Sequence, residues 1–147
     1  MNPHPNPPAL PRVLFVCVEN SNRSRMAEAF ARLHGAGRVE AFSAGSRPSG
    51  IVNAKAIRAM AERGYDLSTH ASKSLAELPG GGYAAAITMG CGDACPAVHA
   101  ALREDWQLPD PRELPLAEFR VVRDAIETRV LELLARLAAS RPGNVKG

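Results

Sequence analysis

The sequence predicts an α/β fold, a three-layer sandwich in which a four-stranded parallel sheet carries helices on both faces. Two observations carry this prediction. Short apolar runs alternate with segments of helical periodicity along most of the chain, an alternation that closes into a parallel sheet through right-handed crossovers. The first run, RVLFVC at 12–17, is apolar without a break after its arginine, as expected of a strand covered on both sides.

The other elements follow in order. Met26, Phe30 and Leu33 recur at helical spacing between Asn22 and His34, and Gly35 stops that helix. RVEAFSAG (38–45) alternates as a second strand, and Ile57, Met60 and Ala61 mark one face of a helix over 51–63, closed by Gly64. YAAAITM (83–89), after three glycines, reads as a third, buried strand. A short helix is expected over 96–104 and a brief fourth strand at EDWQL, 104–108, ahead of PDP at 109–111. The last helix, 116–139, presents Phe119, Val122, Ile126, Val130, Leu133, Leu134 and Leu137 to the core. Ligands of such sheets bind beyond the carboxyl ends of the strands, the edge where Cys17, Ser43 and the segment after Met89 are expected.

Composition narrows the function. At 147 residues the chain can build a core without disulfide or metal staples, and 46% hydrophobic with 22% charged residues is globular. The organisation expected is a disordered proline-rich arm (1–11), one domain (12–140) and a flexible tail (141–147). The arm, with five prolines, lacks the charged start and apolar core of a signal peptide, and no apolar run approaches a membrane span. A cytoplasmic protein without a membrane partner is expected. Three cysteines, an odd count, suit redox chemistry better than a disulfide scaffold. The net charge of +3 is scattered, with one Trp and two Tyr, which argues against nucleic acid and suits a small anion.

The chemistry concentrates where the first strand meets the first helix. Cys17 and Arg23 are separated by Val18, Glu19, Asn20, Ser21 and Asn22, and Ser24 follows. A loop of this length, Val18 to Arg23, can turn its backbone N–H groups inward as an anion nest backed by a positive helix terminus. Arg23 adds a bidentate fork for a tetrahedral oxyanion. The same field is expected to favour the Cys17 thiolate as nucleophile, and Ser24 is placed to donate to the sulfur. Beyond the third strand, at the same edge, ITMGCGDACP (87–96) supplies Cys91 and Cys95. Zinc on this Cys-x3-Cys with His99 lacks an obvious fourth ligand.

These residues resemble the low-molecular-weight phosphatase superfamily, whose members carry Cys-x5-Arg-Ser early in a flavodoxin-like domain. The resemblance extends from Arg12 to the last helix and includes RSRMAEAF (23–30), SAG (43–45) and the Asp-Pro at Asp110. The superfamily contains phosphatases and arsenate reductases, and CGDACP resembles the redox segment of the reductases. That resemblance implies a thiol-dependent arsenate reductase serving arsenic detoxification. Cys17 would form a thiol–arsenate adduct, Cys91 would attack Cys17 and release arsenite, and Cys95 would take over the disulfide. Gly90 and Gly92 would give that segment mobility. The spacing of Cys91 and Cys95 is shorter than in the best-known thioredoxin-coupled members, so the reductant implied is thioredoxin or a low-molecular-weight thiol system.

Asp110 is the expected general acid. Arg112 and Glu113 follow it where tyrosine phosphatases offer aromatic residues, which lowers the phosphotyrosine reading but leaves residual hydrolysis of small aryl phosphates in view. The resemblance also implies a potassium ion held by Asn20, Glu28, Ser43 and Asp66, all oxygen donors, with no tightly bound cofactor otherwise. Phosphate and sulfate would mimic arsenate, and a monomer is expected. The alternatives are a low-molecular-weight phosphatase using Cys17, Arg23 and Asp110, and a non-catalytic oxyanion or redox sensor. His34 and His70 are expected at the surface or in capping positions, and Trp106 in the core or its rim.

Overall fold

A computed structural model describes residues 10–18, 22–45, 50, 52–70, 74–79, 81–90 and 99–140. Most of the predicted arm, the tail, Glu19, Asn20, Ser21, Cys91 and Cys95 lie outside the described residues. Four strands, β1 (Arg12–Cys17), β2 (Glu40–Gly45), β3 (Tyr83–Thr88) and β4 (Ala100–Asp105), form one sheet. Their order is β2-β1-β3-β4, and every pairing is parallel. The helices are α1 (Arg23–His34), α2 (Ala54–Ala61) and α3 (Leu116–Ser140), with 3-10 turns at Leu67–Thr69 and Leu75–Glu77.

β1 is central, and its uninterrupted apolar run follows from that position. Successive side chains point to opposite faces of a strand. Val13, Phe15 and Cys17 enter the larger core with Met26 and Phe30 of α1, Met60 of α2 and the Phe119-to-Leu137 stripe of α3. Leu14 and Val16 enter a smaller cluster on the other face with Tyr83, against which Phe42 and Leu78 pack. The predicted stripe of α3 is buried throughout. No helix among the described residues is long and apolar enough to cross a membrane.

Two expectations are corrected. The helix predicted over 96–104 is displaced within the described residues by β4 at 100–105, so the fourth strand begins four residues before its expected place. Burial alternates along β4, with Ala100, Leu102 and Glu104 half-buried and their neighbours exposed. This is the period-two signature of an edge strand, diluted by alanines and charges until it reads as a helix. Ser43 is not at the strand end either: it pairs with Phe15, while Gly45 pairs with Cys17.

Turns position the ends. Gly35 closes α1 because a Cβ there would lie 2.6 Å from the Ala31 carbonyl oxygen and 2.8 Å from Val39 Cγ2. The Trp106 amide donates to Thr88 O at 2.8 Å, extending the β3–β4 ladder by one step. The indole is 1% exposed and packs against Phe15 with ring centroids 5.9 Å apart.

Candidate active site

The chain leaves β1 toward β2 on one side and returns to β3 on the other, so the crevice beyond β1 and β3 is the topological switch point of the sheet. Cys17 ends β1 there, and Met89 and Gly90 follow β3. A cleft of about 310 Å³ opens at this place, lined by Cys17, Val18, Asn22, Arg23, Gly90, Asp110 and Arg112. It is a volume suited to a small oxyanion with its water.

Cys17 is 3% exposed, and its Sγ lies 2.9 Å from Ser24 Oγ. Once the thiol has lost its proton, the hydroxyl is the donor of this pair and steadies the negative sulfur. Asn22 caps α1 without a side-chain cap bond, and the first helical hydrogen bond runs from the Met26 amide to Asn22 O at 2.9 Å. The amides ahead of it have no acceptor inside the helix, and with the helix dipole they favour an anion.

Arg23 is held from three sides. Its Nη1 donates to the Leu108 carbonyl at 2.9 Å, and its Nη2 lies 3.9 Å from Asp110 Oδ2. Beneath it is Gly90, with φ at +79°, where a Cβ would fall 2.5 Å from Nη1. Asp110 is half-exposed, and its Oδ1 accepts from the Arg112 amide at 3.0 Å, leaving Oδ2 toward Arg23. Lys55, on the first turn of α2, donates to the Arg112 and Leu114 carbonyls at 2.9 and 2.7 Å and fixes this loop.

Of the predicted site residues, Cys17, Val18, Asn22, Arg23 and Asp110 therefore meet in one cleft, and the buried Ser24 touches the Cys17 sulfur beneath it. Glu19, Asn20, Ser21, Cys91 and Cys95 lie outside the described residues, although Gly90, in the cleft wall, directly precedes Cys91 in the chain. Sequence reasoning did not find the parts played by Gly90, Leu108, Lys55 and Arg112. Their contacts with the loop and with Asp110 join distant segments, and only the glycine before CGDACP was a visible signal.

Of the donors expected around potassium, Glu28, Ser43 and Asp66 are among the described residues and Asn20 is not. Ser43 Oγ donates to Glu28 Oε1 at 2.5 Å, whereas Asp66 is exposed and its Oδ1 accepts from the Ser68 amide and hydroxyl. Glu28 is fully buried, and guanidinium groups already engage it. Arg25 Nη1 reaches Oε1 at 2.6 Å, and Arg32 Nη2 and Nε reach Oε2 at 2.6 and 3.0 Å. Burial alone would raise the Glu28 carboxyl, but the Ser43 hydroxyl and the two arginines outweigh it and hold it below the ordinary range. Among the described residues, Arg25 Nη1 thus already bonds to both Glu28 Oε1 and Ser43 Oγ. Among the described residues no group of three His, Cys, Asp or Glu side chains could hold a metal ion.

Comparison with known proteins gives the family. A "Glutaredoxin arsenate reductase" of Synechocystis sp. is 39% identical over 130 residues, covering 86% of this chain and 98% of its own. The solved structure "An arsenate reductase in the phosphate binding state" superposes with a TM-score of 0.79 at 39% identity, covering 86% of this chain and 98% of that one. A thioredoxin-dependent arsenate reductase of Corynebacterium glutamicum superposes with a TM-score of 0.74 at 32% identity, covering 90% of this chain and 64% of that one. Residues 12–142 match the family model of the low molecular weight phosphotyrosine protein phosphatases, and with the Cys17–Arg23 cleft at its sheet edge the chain belongs to that family.

Proposed function

We propose that this protein reduces arsenate to arsenite by a thiol relay. The observation that carries the reading is the cleft where Cys17, the Arg23 guanidinium and the Asp110 carboxyl converge, with Ser24 Oγ 2.9 Å from the Cys17 sulfur. Arsenate binds to the loop and Arg23, and Cys17 sulfur bonds to arsenic as one As–OH oxygen leaves as water, with its proton supplied through Asp110. Cys91 then attacks Cys17 Sγ. The S–As bond breaks with its electron pair staying on arsenic, which leaves as arsenite, and a Cys17–Cys91 disulfide forms. Cys95 attacks Cys91, freeing Cys17 as the thiolate and leaving a Cys91–Cys95 disulfide for an external thiol reductant to reduce.

The external reductant is proposed to be a low-molecular-weight thiol acting with a glutaredoxin. The short Cys91–Cys95 spacing and the Synechocystis relative's name support this over thioredoxin. Hydrolysis of small aryl phosphates is a proposed side activity, since the cleft holds a tetrahedral oxyanion whichever element is at its centre.

The test is to incubate fully reduced protein with arsenate, quench with an alkylating reagent and map the disulfides by mass spectrometry. A Cys91–Cys95 bridge with stoichiometric arsenite is expected. Three alkylatable cysteines in a protein that hydrolyses an aryl phosphate would overturn the relay in favour of a phosphatase. Turnover with glutaredoxin and glutathione, set against turnover with thioredoxin, decides the reductant.

A further inference from the structure

The buried pair Arg25–Glu28 on α1 has an unusual composition. Arg25 stands in the first turn of α1, and both it and Glu28 are completely buried. A single cationic nitrogen, Arg25 Nη1, lies 2.6 Å from Glu28 Oε1, 3.2 Å from Ser43 Oγ and 3.4 Å from His70 Nδ1. His70 Nε2 in turn lies 2.8 Å from Tyr65 Oη, so the tautomer that accepts from Arg25 donates to the tyrosine.

Arg25 is costly where it stands. The first turn of a helix disfavours positive charge, no acidic side chain shares that turn, and burial strips the guanidinium of water. Its Nε and Nη2 are buried and find no acceptor among the described residues. Two arginines share the single Glu28 carboxylate, so formal positive charge remains on the helix that carries Arg23 and Ser24. A buried guanidinium with two nitrogens that meet no acceptor among the described residues calls for a reason, and an anion bound at the adjacent N-terminus provides one.

We propose that Arg25 is a built-in cation: its guanidinium takes the position a potassium ion would occupy between Glu28 and Ser43, adds positive charge to the oxyanion site at the start of α1 and makes the protein independent of potassium. The inference rests on reading the cleft as an oxyanion site, but not on the cysteine relay. Arg25 touches no reacting atom and is a positioning residue. Substitution by glutamine would remove the charge and the Arg25 bonds to Glu28 Oε1 and Ser43 Oγ, and leave a neutral oxygen beside them, which together suit a hard monovalent cation.

The experiment measures melting temperature and inorganic phosphate affinity, the latter by calorimetry, in potassium chloride and in choline chloride at equal ionic strength. Wild-type protein is expected to give the same values in both salts. Arg25→Gln is expected to bind phosphate about tenfold more weakly in choline and to recover most of that loss, with a saturable rise in melting temperature, as potassium is added. A saturable, potassium-specific stabilisation of the wild type would overturn the proposal. An Arg25→Gln protein with wild-type phosphate affinity, or with no potassium response, would overturn it too. If the variant fails to fold, the wild-type potassium titration alone decides. None of these readouts involves arsenic turnover or Cys91 and Cys95, so failure here is separate from failure of the relay.

Discussion

The guanidinium of Arg23 lies directly on the backbone of Gly90, so close that a Cβ would fall 2.5 Å from Nη1. Two distant segments are thereby locked together, the loop after β1 and the turn after β3. The turn also needs its glycine for a φ of +79°, which costs an L-residue about 1–2 kcal/mol.

Gly90→Ala is therefore expected to displace Arg23 and strain the turn together. Affinity for phosphate or arsenate should fall by at least about tenfold, with a lowered melting temperature. Equilibrium titration with inorganic phosphate checks it, and unchanged affinity would show that Arg23 has room to move aside.

Ser24 offers a narrower test, because its hydroxyl sits 2.9 Å from the Cys17 sulfur. A hydrogen bond to a charged group contributes about 1.5–3 kcal/mol. Ser24→Ala should accordingly slow arsenite release in a single turnover by about 10- to 100-fold while leaving phosphate binding largely intact. Cys17→Ser should abolish the same turnover.

Acid stability should report on Glu104. Its carboxylate accepts from Arg136 at 2.5 and 2.9 Å and from the Trp106 indole at 3.0 Å. With Arg136 the main cause, these bonds lower it from an ordinary 4.5 to about 2. A depressed carboxylate stabilises the fold above its unfolded value, and that contribution is lost as pH falls from 4.5 toward 2. Glu104→Gln should flatten the decline of melting temperature over that window. It will not remove the decline, because Arg120 and Arg123 hold Glu62 at about 2 as well.

What was legible in the sequence was local. Cys17, Arg23 and Ser24 lie within eight residues, across one strand end and one helix start, so their spacing alone marks them as one site. The stripe from Phe119 to Leu137 declares its buried face through regular period. What escaped depends on contacts across the fold. β4 was read partly as helix because an edge strand with one half-buried face carries a weak alternation. Leu108 meets Arg23 across 85 positions and Lys55 meets Arg112 across 57, and no periodicity encodes either. Arg25 and Glu28, three apart, look in sequence like an ordinary ion pair on a solvated helix face. Only packing shows that both are shut away from water.

Trp106 makes the molecule its own optical probe. It is the single tryptophan of the chain, sealed against Phe15, two residues ahead of the nucleophile on β1. Its carbonyl accepts from the amide of Leu108, the residue whose own carbonyl holds Arg23. An oxyanion that draws Arg23 inward must pull on that short tether, so the emission of one unlabelled indole can follow substrate arrival in a stopped-flow cell, in real time and before any sulfur has reacted.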